Sequence, residues 1–294
     1  MANLKAIRIR ITSVKSTRQI TSAMKMVAAA KLRKAQDRIV RLRPYADKLH
    51  EILVGLTNSL VDSEDENVYG RKSDPVKVLV VVITSNRGLC GGFNANVIRE
   101  TRRVIAEKYK EQNGKGNLWF VAIGKKGFDF LKRQKLNILE EDNHIFNALT
   151  FENVSVVAMR IMEAFVEGKF DRVEIIYNQF KNAAVQNLTN ELFLPVETIV
   201  DVKAKAPVID YIYEPTQEEI VKELIPKSLK LQFYKAVLDS FVAEHGARMT
   251  AMHKATDNAT QLIKELTLQY NKARQASITN QILEVVSGAE ALHG

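Results

Sequence analysis

Apolar residues recur at alternating steps of three and four positions along the first sixty residues of the chain. Between Leu4 and Leu60, fourteen of the seventeen positions at this spacing are apolar. The three polar positions fall together, at Arg18, Thr21 and Lys25. A period of 3.5 residues kept over this length is typical of a coiled-coil seam, so the pattern predicts one long helix. Pro44 is expected to kink that helix, because proline removes a backbone donor and crowds the preceding turn.

The C-terminal part of the chain repeats the design. From Leu231 to Ser287, twelve of seventeen positions at the same spacing are apolar. The last proline is Pro226, so a helix is predicted from about the next residue to Ser287, with Thr216 as a candidate N-cap for the segment that leads into it. Two helices of matching length at opposite ends of a chain are expected to pair antiparallel.

The region between the helices alternates strand-like and helix-like segments. Strands are predicted at Val76–Thr84, Leu118–Ile123 and Arg172–Tyr177, with a further candidate at Glu191–Val196, and helices near Asn94–Tyr109, Lys125–Lys132 and Val154–Glu167. This alternation is typical of a small α/β domain. The predicted fold is therefore α/β: a long antiparallel coiled coil of the N- and C-terminal helices plus a central, Rossmann-like α/β domain. The expected parts are an N-terminal helix at 1–61, the central domain at 74–200 and a C-terminal helix at 216–294.

The net charge of +9 is concentrated near the N-terminus. Residues 1–50 contain thirteen Lys and Arg against two acids, which gives +11, and the remaining residues sum to about −2 by subtraction. This asymmetry favours an acidic partner, which could be nucleic acid, lipid headgroups or a carboxylate-rich protein surface, although a solvated helix face is an equal alternative. A transit peptide is disfavoured, because the apolar spacing continues unbroken past any cleavage point near residue 30.

A glycine-rich loop follows the first predicted strand and raises the question of a nucleotide site. Gly92 is followed by Phe93 and Asn94 rather than by Lys and Ser or Thr, so a Walker loop is excluded, and the spacing of Gly88, Gly91 and Gly92 is not GxGxxG. We therefore expect a structural turn with glycines at positive φ. The single cysteine, Cys90, lacks a neighbouring histidine, and the five histidines have no metal-ligand spacing. No catalytic residue, cofactor or metal site is predicted, and no apolar run approaches the ~20 residues of a membrane-spanning helix.

Three stretches together resemble one known family. They are "ITSVKSTRQITSAMKMVAAAKLRKAQ" at Ile11–Gln36, "TSNRGLCGGFN" at Thr84–Asn94, and "RMTAMHKATDNATQLIKELTLQYNKARQASITNQILEVVSGAEAL" at Arg248–Leu292. This combination is similar to the gamma subunit of F-type ATP synthase. The resemblance implies a non-catalytic rotor shaft inside a ring of alpha and beta subunits, with its foot on the membrane c-ring beside the epsilon subunit and an indirect relation to the delta subunit. It also implies a peripheral protein on the cytoplasmic face of a bacterial inner membrane, without a cofactor or nucleic acid.

The resemblance assigns roles to individual positions. Those matching contacts with the beta subunits are Met24, Lys25, Arg33, Lys34, Arg274, Gln275, Thr279 and Gln281, and Gln281 departs from the glutamate that many members carry. Arg248 matches a basic position facing the first helix, and Tyr211, Tyr213 and Glu214 match the foot near the c-ring and epsilon. The segment Ile282–Leu292 is expected to turn in an apolar sleeve. From the residues alone, a basic coiled-coil adaptor for nucleic acid and a nucleotide-binding enzyme using the Gly88 loop remain alternatives.

Overall fold

The computed structural model describes residues 4–59, 68–71, 74–196 and 217–293. Contacts divide the chain into two compact units. The helical unit consists of residues 1–28 and 248–294, and the sheet unit consists of residues 29–247.

Two long helices begin and end the described chain. Helix α1 runs from Leu4 to Ser59 and helix α6 from Gln217 to His293, and both continue through their internal prolines, Pro44 and Pro226. The predicted helices are thus confirmed. Helix α6 extends further than the apolar spacing alone indicated, at both ends. The candidate N-cap Thr216 lies outside the described residues.

The two helices run antiparallel where they pack in the sheet unit. Leu49 of α1 packs with Leu231 of α6 in one buried apolar cluster. Ile39, ten residues earlier on α1, lines a common cleft with Leu238, seven residues later on α6. Positions that rise along one helix therefore match positions that rise in the opposite direction along the other, which confirms the predicted antiparallel pairing.

The sheet unit contains a five-stranded sheet with the order β3-β2-β1-β4-β5. Its strands are β1 Val78–Ile83, β2 Leu118–Ile123, β3 Asn137–Asp142, β4 Arg172–Phe180 and β5 Gln186–Leu194. Strands β1 to β4 pair in parallel and β5 pairs antiparallel with β4. Strand β3 was not predicted, because this edge strand alternates exposed and half-buried residues in the polar sequence "NILEED" and has no continuous apolar run.

Helices pack against the sheet. The helices of the sheet unit between α1 and α6 are α2 Phe93–Arg103, α3 Lys110–Gly114, α4 Lys125–Arg133 and α5 Phe151–Val166. All six β1 residues are fully buried, as expected for a central parallel strand. Phe193 of β5 and Phe233 of α6 lie with their ring centroids 5.6 Å apart, and Gln232 Nε2 donates to Glu191 2.6 Å away. These contacts dock α6 on β5.

The sequence pattern predicted one helix near Asn94–Tyr109, but in the structure the segment after α2 is not regular α-helix. Residues Val104–Lys108 form a π-helical turn, and the backbone N–H of Tyr109 donates to the carbonyl of Val104 over 3.0 Å. A π-turn adds one residue to the helical turn and so rotates the following side chains. The Tyr109 side chain is buried as a result, and Lys108 and Tyr109 both reach the same acid on strand β4.

Candidate functional site

Helix α1 presents basic side chains to solvent. Lys31, Arg33 and Lys34 are exposed, and Arg33 and Lys34 make no hydrogen bond or ion pair with any described residue. Arg38, by contrast, donates to the backbone carbonyl of Leu149 over 2.9 Å and so belongs to the packing of the sheet unit. Cations without an internal partner are available to an acidic surface.

Met24 and Lys25 lie on the part of α1 that belongs to the helical unit. Both side chains are half-buried, and neither makes a hydrogen bond or ion pair with a described residue. The next two residues, Met26 and Val27, are 64% and 58% exposed. This stretch therefore combines a cation with exposed apolar side chains, which is the composition of a protein-contact surface.

The C-terminal end of α6 is exposed over its whole circumference. Arg274, Gln275, Thr279 and Gln281 are all exposed, and the Thr279 hydroxyl donates to the carbonyl of Gln275 over 3.0 Å. Every side chain from 281 to 290 is exposed. Five apolar residues are among the exposed ones at this end: Ile278, Ile282, Leu283, Val285 and Val286. An apolar surface of this kind typically marks a contact with another protein.

The predicted sites differ in where they fall. Met24, Lys25, Arg274, Gln275, Thr279 and Gln281 belong to the helical unit, whereas Arg33 and Lys34 belong to the sheet unit. Arg248, at the start of the α6 part of the helical unit, is buried. The predicted foot residues Tyr211, Tyr213 and Glu214 lie outside the described residues.

The glycine-rich loop is closed by its own side chains. Asn94 donates its side-chain amide to Ser85 Oγ over 2.7 Å and to Cys90 Sγ over 3.2 Å, and its carbonyl oxygen accepts from the Ser85 N–H over 3.0 Å. Cys90 is 1% exposed and packs with Phe93. These contacts make the loop a rigid strand-to-helix turn, as predicted.

The expectation that the loop's glycines adopt positive φ was only partly correct. Gly91 has φ +59°, but the second positive φ in the loop belongs to Leu89, at +63°. Gly92 has φ −79° and precedes helix α2 as its N-cap. Leu89 thus adopts a positive φ that a leucine ordinarily avoids, because the hydrogen bonds around Asn94 fix the turn.

A buried acid on strand β4 was missed by the sequence analysis. Glu174 is 1% exposed and accepts hydrogen bonds from Lys108, from the Tyr109 hydroxyl, from Arg172 Nε at 2.9 Å and from Asn190 Nδ2 at 3.0 Å. Arg172 lies two residues away on the same strand, but the other three donors come from the π-turn and its next residue and from β5, so no local spacing in the sequence could have revealed the cluster.

Opposing effects act on the pKa of this acid. Burial alone would raise the pKa of Glu174, but hydrogen bonds from Lys108, Tyr109 and Asn190 and the charge of Lys108 bring it below the usual value. Burial and the bond to Glu174 raise the pKa of Tyr109 in turn. The cluster therefore consists of an ionised carboxylate and a neutral phenol, a structural arrangement that ties the π-turn to the sheet.

A second basic segment was hidden by averaging the charge beyond residue 50. Residues 93–135 contain eleven Lys and Arg against four acids, a difference of +7. The guanidinium of Arg102 on α2 lies 5.1 Å from the ring centroid of Phe130 on α4, so two helices of this segment contact each other.

The described residues contain no group of three or more His, Cys, Asp or Glu side chains that could hold a metal ion. No described helix is both long and apolar enough to cross a membrane. A cleft of about 240 Å³ opens in the sheet unit, lined by Ile39, Leu42, Ala46, Gln179, Phe180, Lys235, Leu238 and Asp239. It is smaller than the pockets of ~300–1,000 Å³ that usually bind small molecules.

Comparison with known proteins gives consistent matches along the chain. A sequence model of the ATP synthase family matches residues 3–292. The "ATP synthase gamma chain" of Flavobacterium psychrophilum is 57% identical over 296 residues and that of Chlorobaculum parvum is 44% identical over 292 residues, with coverage of 100% of both chains in the first case and 99% in the second.

Solved structures match as well. A chain from the central stalk and c-ring of Tetrahymena thermophila mitochondrial ATP synthase aligns with a TM-score of 0.61 at 26% identity, covering 80% of this chain and 99% of the other. A chain from Euglena gracilis mitochondrial ATP synthase aligns with a TM-score of 0.67 at 23% identity, covering 99% and 94%, and this likeness concerns the fold alone.

Proposed function

The chain belongs to the ATP synthase gamma chain family, and on that premise we propose that it is the central-stalk rotor subunit of an F-type ATP synthase. In this role it couples proton flow through the membrane sector to ATP synthesis or hydrolysis in the catalytic head. The chain itself is non-catalytic: it transmits rotation, and the nucleotide chemistry takes place on its partners.

The exposed apolar end of α6 is the observation that carries this proposal. Five apolar side chains are exposed over a short stretch of helix, and side chains 281 to 290 are all exposed. Leaving such a surface in water costs ~25 cal/mol per Å², so a partner that covers it is favoured. A sleeve formed by the alpha and beta subunits supplies that cover without needing specific polar contacts, which suits a helix that must turn.

The basic and polar positions supply the contacts that follow rotation. We assign Met24 and Lys25 to an acidic loop of the beta subunits, and Arg33 and Lys34 to beta-subunit contacts further along the same helix. Arg274, Gln275, Thr279 and Gln281 are assigned to the upper beta surface. Arg33 and Lys34 support this assignment because they are exposed and have no partner among the described residues. Exposed ion pairs contribute only ~0–1 kcal/mol, so opposite charges at this contact attract each other but can separate again as the shaft rotates.

The remaining parts of the chain complete the proposed subunit. We divide it into an N-terminal helix at 1–61, a central domain at 74–200 and a C-terminal helix at 216–294. Arg248 is assigned to the side of α6 that faces α1. The foot around Tyr211, Tyr213 and Glu214 meets the c-ring and the epsilon subunit, with the delta subunit related indirectly. The subunit is peripheral to the cytoplasmic face of a bacterial inner membrane and uses no cofactor, metal or nucleic acid.

Native mass spectrometry of the tagged chain, gently extracted from its own membranes, tests the assembly. The expected result is a complex with a single copy of this chain and three copies of each of two larger nucleotide-binding subunits. A lone chain or a homodimer would contradict the proposal.

Contact with the beta subunits has its own test. Met24→Lys places a second cation beside Lys25 and is expected to lower the number of protons pumped per ATP hydrolysed while the complex still assembles. Ala23→Lys is the matched control, because Ala23 is exposed on the same turn of α1. Equal coupling in wild type, Met24→Lys and Ala23→Lys would remove Met24 from the contact.

A nucleic-acid adaptor is the second candidate, favoured by the cations of α1 and of residues 93–135. It predicts binding of DNA or RNA that weakens steeply as salt rises, because bound counterions are released from the phosphates. Absence of binding at low salt eliminates this candidate, and copurifying nucleic acid in the mass spectrum would favour it over the rotor.

A further inference from the structure

Thr21 marks the point at which α1 becomes buried in the helical unit. Every described side chain from 4 to 20 is exposed or half-buried, whereas Thr21 is 9% and Ala28 is 2% exposed. On α6 the nearest buried positions in this unit include Met252 and Ala259, at 5% and 7%. The first buried side chain on α1 is thus a polar one, at the border of the packed region.

A hydrogen bond joins the two helices at this border. The Thr256 hydroxyl on α6 donates to Thr21 Oγ1 over 2.9 Å, and the Thr21 hydroxyl donates to the carbonyl of Arg18 over 3.0 Å. Thr256 Oγ1 also lies 2.8 Å from the carbonyl of Met252. Two hydroxyl protons serve these three contacts, so the Thr256 proton is shared between Thr21 Oγ1 and the carbonyl of Met252, while the Thr21 proton is directed at the carbonyl of Arg18.

The surrounding packing gives this bond its importance. Ala28 and Ala259 contribute only small apolar side chains near this border, and apolar contact has no preferred direction. A hydroxyl pair has a required distance and angle. Polar pairs inside coiled coils are known to select one arrangement of the helices over others.

The proposed beta-contact residues lie directly beside the pair. Met24 and Lys25 follow Thr21 by three and four residues, a spacing that places side chains on the same face of a helix. Both are half-buried. Local separation of α1 from α6 at Thr21 would change the direction in which these two side chains point.

We infer that Thr21 and Thr256 are positioning residues that clasp α1 to α6 and thereby hold Met24 and Lys25 in the orientation needed for coupling. The inference rests on the proposed rotor function, because the orientation of Met24 and Lys25 matters only if they contact a partner. Neither threonine takes part in nucleotide chemistry or in proton transport, so both act through Met24 and Lys25 on α1.

Hydrogen exchange in the assembled complex tests the clasp. Thr21→Val and Thr256→Val retain side-chain shape but remove one hydroxyl, and we expect amide exchange over residues 22–28 to accelerate about two- to twelve-fold, the factor that one net hydrogen bond supplies. The double variant should exchange no faster than the singles, because both remove the same bond.

Two other threonines supply matched controls. Thr17 and Thr260 each donate to the carbonyl four residues earlier on their own helix, over 3.0 and 2.9 Å. Thr17→Val and Thr260→Val thus remove a hydroxyl and its bond to the helix backbone without removing the Thr21–Thr256 bond. Exchange over residues 22–28 is expected to stay at the wild-type rate in both.

Proton pumping per ATP hydrolysed is the functional measurement on the same variants. Coupling should fall in Thr21→Val and Thr256→Val at an unchanged rate of ATP hydrolysis, and the two controls should remain coupled. Unchanged exchange in Thr21→Val and Thr256→Val would overturn the clasp, and faster exchange with full coupling would overturn its positioning role. Failure of the rotor proposal itself would already be visible in the wild type, as a complex with the wrong composition.

Discussion

The hydroxyl of Tyr109 donates a hydrogen bond to Oε1 of Glu174, a carboxylate that is 1% exposed. Tyr109 reaches this acid because it directly follows the π-turn, and the same turn brings Lys108 to the same oxygen. Arg172 and Asn190 supply donors from β4 and β5. Glu174 therefore links the π-turn to the sheet, and its removal should destabilise both.

Glu174→Gln is expected to destabilise the chain by about 2–3 kcal/mol. The amide cannot balance the charges of Lys108 and Arg172, and its NH₂ group presents donors where Glu174 offered only acceptors. Urea unfolding of the full chain, followed by the fluorescence of its single tryptophan, Trp119 on β2, measures the change.

The control for this variant is Glu111→Gln. Glu111 is an exposed acid whose carboxylate lies 4.0 Å from the ammonium of Lys115, so its loss should cost less than about 0.5 kcal/mol. Equal unfolding free energies for Glu174→Gln and Glu111→Gln would show that the buried cluster contributes no more than a surface ion pair.

The same acid gives the stability a defined pH dependence. The folded-state pKa of Glu174 lies below its ordinary 4.5, so its stabilising contribution is fully present above about pH 4.5 and is lost as the pH falls through the folded-state pKa. The difference in unfolding free energy between wild type and Glu174→Gln should therefore be constant at higher pH and shrink below about pH 4.5. Urea titrations across that range check this, and a difference that does not change with pH would contradict it.

Gly124→Ala should destabilise the sheet unit through a backbone clash. Gly124 has φ +97°, and an added Cβ would stand 2.2 Å from the carbonyl oxygen of Thr84. Strain and overpacking together should cost at least about 2–3 kcal/mol in urea unfolding. Gly116→Ala separates the two causes, because Gly116 has φ +74° with nothing within 4 Å of the new carbon, so it should cost only about 1–2 kcal/mol. If Gly124→Ala and Gly116→Ala lower the unfolding free energy equally, the contact of the new Cβ with the Thr84 carbonyl does not contribute to the destabilisation.

The fold could be predicted where the sequence pattern is local and regular. Strand β2 was predicted with its observed bounds, Leu118–Ile123, because an unbroken apolar run between polar flanks has few other solutions. Strand β3 was missed because an edge strand needs only one buried face. The π-turn at Val104–Lys108 could not be predicted either, since the Lys108–Glu174 contact that accompanies it joins residues that are 66 positions apart in the sequence.

The candidate site also has features that a local sequence pattern predicts and features that depend on residues far apart in the sequence. The three polar seam residues around Thr21 were visible as an interruption of the apolar spacing, but only the structure shows that Thr256 on the other helix meets Thr21. Exposure of the α6 end likewise could not be predicted from its apolar residues, which the spacing assigned partly to the seam. The roles at Met24 and Arg274 came from the family resemblance and remain predictions.

Neutralising Arg33 and Lys34 together should weaken coupling. Both are exposed and have no partner among the described residues, so Arg33→Gln with Lys34→Gln removes charge without breaking an internal bond. Proton pumping per ATP hydrolysed is expected to fall, most clearly at low salt, because screening already weakens the wild-type attraction at high salt. Arg33→Gln and Lys34→Gln are also compared singly with Lys31→Gln, which neutralises another exposed cation of α1 and so changes the net charge by the same amount as each single variant. An equal effect in this control would argue against specific contacts.

Charge placed on the exposed end of α6 should impair rotation without affecting the fold. Ile282 and Leu283 are each 57% exposed, so Ile282→Lys and Leu283→Lys should change the unfolding free energy of the chain by less than about 0.5 kcal/mol. In the assembled complex each new ammonium would have to leave water for an apolar sleeve, which is unfavourable by several kcal/mol unless it finds a partner. ATP-driven rotation of single complexes should therefore slow or stop. Asn280→Lys adds the same charge at an exposed polar position and should rotate faster than either variant. Wild-type rotation in both Ile282→Lys and Leu283→Lys would mean that the end of α6 turns in water and that no apolar sleeve surrounds it.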